Sequence, residues 1–233
     1  MSEHVAPPPA APAVAAPSAT VIVLRDADSG IEALLLRRNS KTAFHGGAWV
    51  FPGGHIDPED QSPDASDDML ATARQAAVRE AYEEASLTLS KEKLLYFSHW
   101  TTPLSRPKRF STWFFIAQAG DEAVQVDGGE IHDHEWMRPD DALAARQAGK
   151  IELPPPTFVS LTKLAPFANV SSALDHMRTC EPEMFFPKLE KIDGGYCSIY
   201  QGDAGYETAN VNEPGPRHRL WMLKNGWRYE HEA

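Results

Sequence analysis

Runs of apolar and β-branched residues alternate along the chain with clusters of turn formers, and their spacing predicts an order of elements. "ATVIVLRD" (19–26) and "IEALLLRRN" (31–39) read as two strands joined through "ADSG". "AWVFPGGHID" (48–57) reads as a strand running into a Pro-Gly-Gly loop, and "DPEDQSPDASDD" (57–68) as a polar loop. A helix is predicted from about Asp68 to Ala85, with Asp67 and Asp68 suited to its N-terminus. Further strands are expected over 93–102 and 109–119 and at the end of 130–139. A short amphipathic helix over 140–150 is expected to be capped by Asp140 or Asp141 and stopped by Gly149.

Beyond Leu153 the pattern predicts a helix after the prolines of "LPPPTFVSLTKLAPF" and a second at "SSALDHMRT". Two hairpins follow, turning at Asp193-Gly194-Gly195 and at Asn225-Gly226. Trp221 and Trp227, beside the second turn, read as cross-strand packing. No repeat and no clean linker separates Glu130 from Leu153. The expected division is therefore a disordered Ala/Pro-rich leader (1–18), a core (19–152) and an extension (153–233) packed on it.

Composition narrows the partners. A net charge of −11 over 233 residues opposes a nucleic-acid polymer, so an anionic small substrate needs local cations. The leader lacks the Lys or Arg of a signal peptide, and prolines interrupt its apolar run. No apolar stretch approaches a membrane span. Only Cys180 and Cys197 are present, which suits a reducing compartment, the cytoplasm. A homodimer is left open.

The predicted helix carries Arg79-Glu80-Ala81-Tyr82-Glu83-Glu84. Its three carboxylates crowd one face, although like-charged neighbours each cost about 0.2–0.5 kcal/mol. Glu84 falls inside the flank of the stripe Leu70, Ala73, Ala77, Ala81 and Ala85, and a carboxylate there needs a partner. A hard divalent cation would serve all three; a solvated acidic face is the alternative.

"REAYEEASL" (79–87) together with Gly53-Gly54 resembles the second half of the Nudix hydrolase box, Gly-x5-Glu-x7-Arg-Glu-U-x-Glu-Glu-x-Gly-U with U aliphatic. Ser86 stands where that family has Gly. Arg79 follows Gly54 by 25 positions where the pattern has 14, so 11 residues are inserted. Asp60 occupies the place of the first box Glu. Asp57, Glu59, Asp60, Asp64 and Asp67 are expected to be solvated. "FPGG" (51–54), "TPLSRPKRFSTWFF" (102–115) and "LPPPTF" (153–158) resemble the subgroup of peroxisomal coenzyme A diphosphatases and their bacterial relatives. A coenzyme A signature of another subgroup fits 34–54 in part, through Leu34, Leu35, Arg38 and Gly47, while Asn39 and Ala43 depart from it.

The resemblance implies an α/β fold, an α/β/α sandwich around a mixed sheet with a C-terminal helical and hairpin extension. It implies water attack on a phosphoanhydride in a small-molecule diphosphate, coenzyme A or acyl-coenzyme A being the leading substrates. ADP-ribose or another nucleoside diphosphate derivative is the alternative, as is a nucleotide-sensing module without catalysis. Glu80, Glu83, Glu84 and the Gly53 carbonyl would hold magnesium or manganese. Glu83 would carry the chemistry, Arg79 would orient a ligand carboxylate, and Glu130 matches the loop glutamate used as general base. Arg37, Arg38 and Lys41, or Arg106, Lys108 and Arg109, would meet substrate anions. Arg38 is the candidate for the 3′-phosphate of coenzyme A. His132 and His134 are expected to be structural or solvated. Trp113, Phe114, Phe115 and Trp136 are expected in the core.

Overall fold

The structure is a computed structural model whose described residues are 13–40, 46–61 and 68–232. Residues 1–12 of the expected leader, Lys41, Ala43, Asp64 and Asp67 lie outside them. In chain order the elements are β1 (Ala16–Ala27), β2 (Gly30–Arg38), β3 (Trp49–Val50), β4 (Gly53–His55) and α1 (Met69–Ala85). Then come β5 (Leu95–Thr101), β6 (Phe110–Gln118), β7 (Ile131–Met137), α2 (Pro139–Gln147), α3 (Pro155–Leu164) and α4 (Val170–Arg178). The chain ends with β8 (Glu183–Phe185), β9 (Lys188–Ile192), β10 (Gly195–Ile199), β11 (His218–Leu223) and β12 (Gly226–His231).

The main sheet has eight strands in the order β3-β2-β1-β6-β5-β8, with β4 paired to β1 and β7 to β2. It is mixed: β1 runs parallel to β6 and β5 parallel to β8, while β1–β2 and β5–β6 are antiparallel. The central strands are apolar on both faces because both are covered. In β1, Ala19, Val21 and Val23 pack with the α1 alanines, while Ile22 and Leu24 pack with α3 and α4 on the other side. Phe115 and Phe114 in β6 divide in the same way. The result is a three-layer α/β/α arrangement around a mixed sheet.

Asp68 caps α1, its side chain accepting from Leu70 N and Ala71 N at 3.0 Å. Ser86 ends the helix at φ 56°, ψ 30°, the left-handed conformation that favours Gly. Its backbone N–H reaches Tyr82 O, Leu87 N reaches Ala81 O, and its hydroxyl donates to Gln125 O. These bonds hold a non-glycine residue in a conformation that costs it roughly 1–2 kcal/mol.

Several expectations are corrected. β1 begins at Ala16, so Ala16–Ser18 are paired with β6 rather than part of a disordered leader. Pro52, which has no N–H, splits the 48–57 segment into β3 and β4. Neither Asp140 nor Asp141 caps α2: Arg138 is the N-cap, Pro139 opens the first turn, and both aspartates lie within it. Trp221 and Trp227 do not pack on one another. Trp227 is opposite Met222 and reaches Phe158 of α3, with ring centroids 5.4 Å apart, while Trp221 is opposite Arg228 on the other face of the hairpin.

β9 to β12 form a second, antiparallel sheet in the order β12-β11-β10-β9. Phe158, Leu161, Val170, Phe185, Tyr200 and Leu220 share one hydrophobic cluster with Ile22 and Leu24, so the chain beyond Leu153 packs into the same core.

Candidate active site

β4 pairs with β1 so closely at Gly53 that only glycine fits there. A Cβ on Gly53 would lie 2.4 Å from Ala19 O, and one on Gly54 would lie 2.4 Å from Glu80 Oε1. This places the Gly-Gly segment against the acidic face of α1. Gly53 N–H donates to Glu84 Oε2 at 2.9 Å, and Glu84 is only 6% exposed. Glu80 is partly buried, and Glu83 is exposed.

Arg79 binds the cluster together. Its Nη1 donates to Glu80 Oε1 and to Glu83 Oε2, both at 2.9 Å, and its Nη2 donates to His55 O at 2.9 Å. Its strongest partner is Asp60, which accepts Nε at Oδ1 and Nη2 at Oδ2, both at 2.9 Å. Asp60 is 4% exposed, which corrects the expectation that it is solvated. The signal was available, since Asp60 occupies the place of the first box Glu. The Asp60 hydrogen bonds, with help from Glu80, raise the pKa of Arg79 despite its burial.

The carboxylates offer oxygen donors in an environment that shifts their pKa values. Burial raises the pKa of Glu80, opposed by Arg79 and reinforced by Glu83 and Glu130. Burial pushes Glu84 up to about 8; the Gly53 N–H and Arg38 oppose the shift, while Glu80 and Glu130 add to it. Glu84, buried, and Glu80, partly buried, repel one another beside two glycines, a setting that fits a hard divalent ion with oxygen ligands. Glu80, Glu83 and Glu84 could hold one. For Gly53, the backbone contact within the cluster is its N–H to Glu84.

Glu130 reaches the same place from the loop before β7. Asp127, unremarked in the sequence, accepts from Gly129 N, Glu130 N and Ile131 N and so fixes that loop. "DGG" before Glu130 was the available signal. Glu130 Oε1 accepts a hydrogen bond from Arg38 Nη2, so the expected base and the expected anion contact neutralise each other.

These groups line one cavity of about 780 Å³. Arg38, Arg79, Glu80, Glu83, Glu84 and Glu130 make its charged part. Val50, Phe51, Trp100, Phe114, Pro154–Pro156, Leu189 and Met222 make an apolar part, the last two from the second sheet. Arg106 and Lys108 also line it. Arg109 does not: it is 8% exposed and donates to Thr102 O and Ala13 O, which makes it a structural anchor. Arg37 is exposed and lies outside the lining, as do His132 and His134.

Residues 15–155 match the family model described as NUDIX domain. The chain is similar to "Putative nudix hydrolase 7" of Caenorhabditis elegans, 27% identical over 57% of this chain and 55% of the relative. It spans about half the length of that protein. It is 24% identical to "Acyl-coenzyme A diphosphatase NUDT19" of Xenopus laevis over 76% of this chain and 72% of the relative. The NUDIX hydrolase structure from Alicyclobacillus acidocaldarius superposes with a TM-score of 0.61 at 22% identity, covering 70% of this chain and 96% of that one, which shows a shared fold.

Proposed function

The chain belongs to the NUDIX domain family, and from that membership we propose that it hydrolyses a phosphoanhydride in an acyl-coenzyme A, using a divalent cation. The observation that carries this reading is the single cavity in which the acidic cluster and an apolar chamber meet. A diphosphate belongs at the charged part, and an acyl-pantetheine arm suits the apolar part. ADP-ribose carries no comparable apolar arm. The similarity to a relative named as an acyl-coenzyme A diphosphatase supports the same choice.

Glu80, Glu83 and Glu84 would hold the cation, and magnesium or manganese suits their oxygen donors. Once bound, it would neutralise diphosphate charge and acidify the attacking water. Arg79, fixed by Asp60, sets the orientation of Glu80 and Glu83. Arg38 leaves Glu130 for the incoming phosphate, a charge-assisted exchange of one anion for another. Glu130, so released, accepts the proton of the water as its oxygen bonds to phosphorus. The anhydride P–O bond breaks, and its electron pair leaves on the departing phosphate. Arg106 and Lys108 offer cations for a further phosphate. The overall negative charge opposes a nucleic-acid polymer as partner.

Both cysteines are free, in keeping with the cytoplasm. Among the described residues no helix is long and apolar enough to cross a membrane.

The test is a magnesium-dependent panel of long-chain acyl-coenzyme A, coenzyme A and ADP-ribose, with the nucleotide product identified. Glu83→Gln and Glu84→Gln should each lower turnover at least about a hundredfold with the fold intact. Leu189→Asp should lower kcat/KM for the long-chain substrate and spare ADP-ribose. A wild-type preference for ADP-ribose would overturn the substrate, and near-normal Glu83→Gln turnover at saturating magnesium would overturn the ligand assignment.

A further inference from the structure

Away from the cavity, Glu183, His218 and His231 bring three donor atoms within 4.8 Å of one another. Glu183 lies on β8, the edge of the main sheet, and the two histidines face each other across β11 and β12 of the second sheet. His218 Nδ1 is 2.6 Å from Gln201 O, an acceptor only, so Nδ1 carries the proton. In the neutral ring Nε2 is then a lone pair, and it faces Glu183 Oε1 at 3.3 Å. His231 Nδ1 lies 3.8 Å from the same oxygen. Lys163 binds the other carboxylate oxygen, Oε2, and leaves Oε1 to the histidines. The Tyr229 hydroxyl, 2.9 Å from Nε2, can donate to that lone pair, and a cation between Nε2 and the carboxylate would take its place.

We propose that Glu183, His218 and His231 form a transition-metal site of the zinc class that staples the second sheet to the main one. A tetrahedral ion with bonds of about 2.0–2.2 Å sets its donors roughly 3.3–3.5 Å apart, which the 3.3 and 3.8 Å separations approach. Two imidazoles and one carboxylate select zinc over magnesium. The Gln201 carbonyl on the far nitrogen of His218 is the outer support that metal-bound histidines use. The His231 ring stacks on that of His218 at 4.1 Å, and its side chain, 39% exposed at the end of β12, would have to turn toward the ion. Solvent completes the shell. Leu189 and Met222 come from the stapled sheet, so the ion would steady the apolar wall of the cavity.

The experiment titrates chelator-treated full-length protein with zinc in excess magnesium, which occupies the oxygen-only carboxylate site. The expected result is one zinc retained per chain after desalting. At a hundredfold excess over Kd, Tm should rise by about 5–10 °C. His231→Ala and Glu183→Gln should each lose both effects while keeping magnesium-dependent turnover. No retained zinc in the wild type would overturn the site, leaving the Tyr229 hydroxyl, 2.9 Å from Nε2, as the partner of His218. Retention unchanged in both variants would also overturn it, and its loss in Glu84→Gln would then place the zinc at the carboxylates.

Discussion

Asp60→Asn isolates the residue that holds the acidic cluster in order. Asp60 and Arg79 share two hydrogen bonds of 2.9 Å, and the Asp60 side chain is 2% exposed. Asn keeps the shape, but its amide turns a donor toward a guanidinium that only donates. One charge-assisted hydrogen bond is lost, worth about 1.5–3 kcal/mol. For a chain of this size that lowers Tm by roughly 3–12 °C. Arg79 keeps Glu80 and Glu83 as partners, the two carboxylates the proposed cation would also engage. Without Asp60 to share it, its hold on them tightens. The magnesium concentration for half-maximal turnover should then rise about tenfold, equivalent to ~1.4 kcal/mol of competition. Thermal unfolding and a magnesium titration of turnover read the two effects separately. An unchanged Tm together with an unchanged magnesium requirement would refute the reasoning and return Asp60 to the solvated loop.

Arg38→Ala should lower kcat/KM about tenfold to a hundredfold, equally for coenzyme A and dephospho-coenzyme A, because Arg38 sits beside Glu130 and Glu84, where the proposed diphosphate would bind; steady-state kinetics on both substrates checks this, and a loss confined to coenzyme A would restore the 3′-phosphate role. Glu84 titrates at about 8 without a cation, so binding one at neutral pH releases its proton. Affinity should rise with pH, by up to about tenfold per unit, and level off above pH 8, as calorimetry in buffers of different ionisation enthalpy would report. Asp203→Asn should cost about 3–5 kcal/mol in denaturant unfolding, since Asp203 and Arg219 form a wholly buried pair. Burial works against the Asp203 charge, but the Arg219, His218 and Gly205 hydrogen bonds outweigh it and hold its pKa below the usual value. Its stabilising contribution is therefore present above about pH 4 and lost as pH falls through the lower folded-state pKa; the pH dependence of stability below 4 should flatten in the variant.

The amino-acid sequence by itself determined the features that depend on neighbours along the chain. The α1 alanine stripe, Asp68 at its N-terminus and the common face of Glu80, Glu83 and Glu84 follow from a 3.6-residue period that needs no tertiary information. The Asn225-Gly226 turn is local in the same way, and so is the apolar character of β1 and β6. Tertiary structure decided what depends on contacts between distant segments. Arg106, Lys108 and Arg109 are nearly adjacent, yet two line the cavity and the third is buried against the backbone of Thr102 and Ala13. Asp60 looked like one more loop acid until Arg79, 19 residues later, folded over it. Trp221 and Trp227 were separated by strand register, which sends them to opposite faces. Glu183, His218 and His231 come from three strands and meet only where two sheets close on each other. A side chain's type and period fix which face it takes, but the partner waiting there is set by long-range packing.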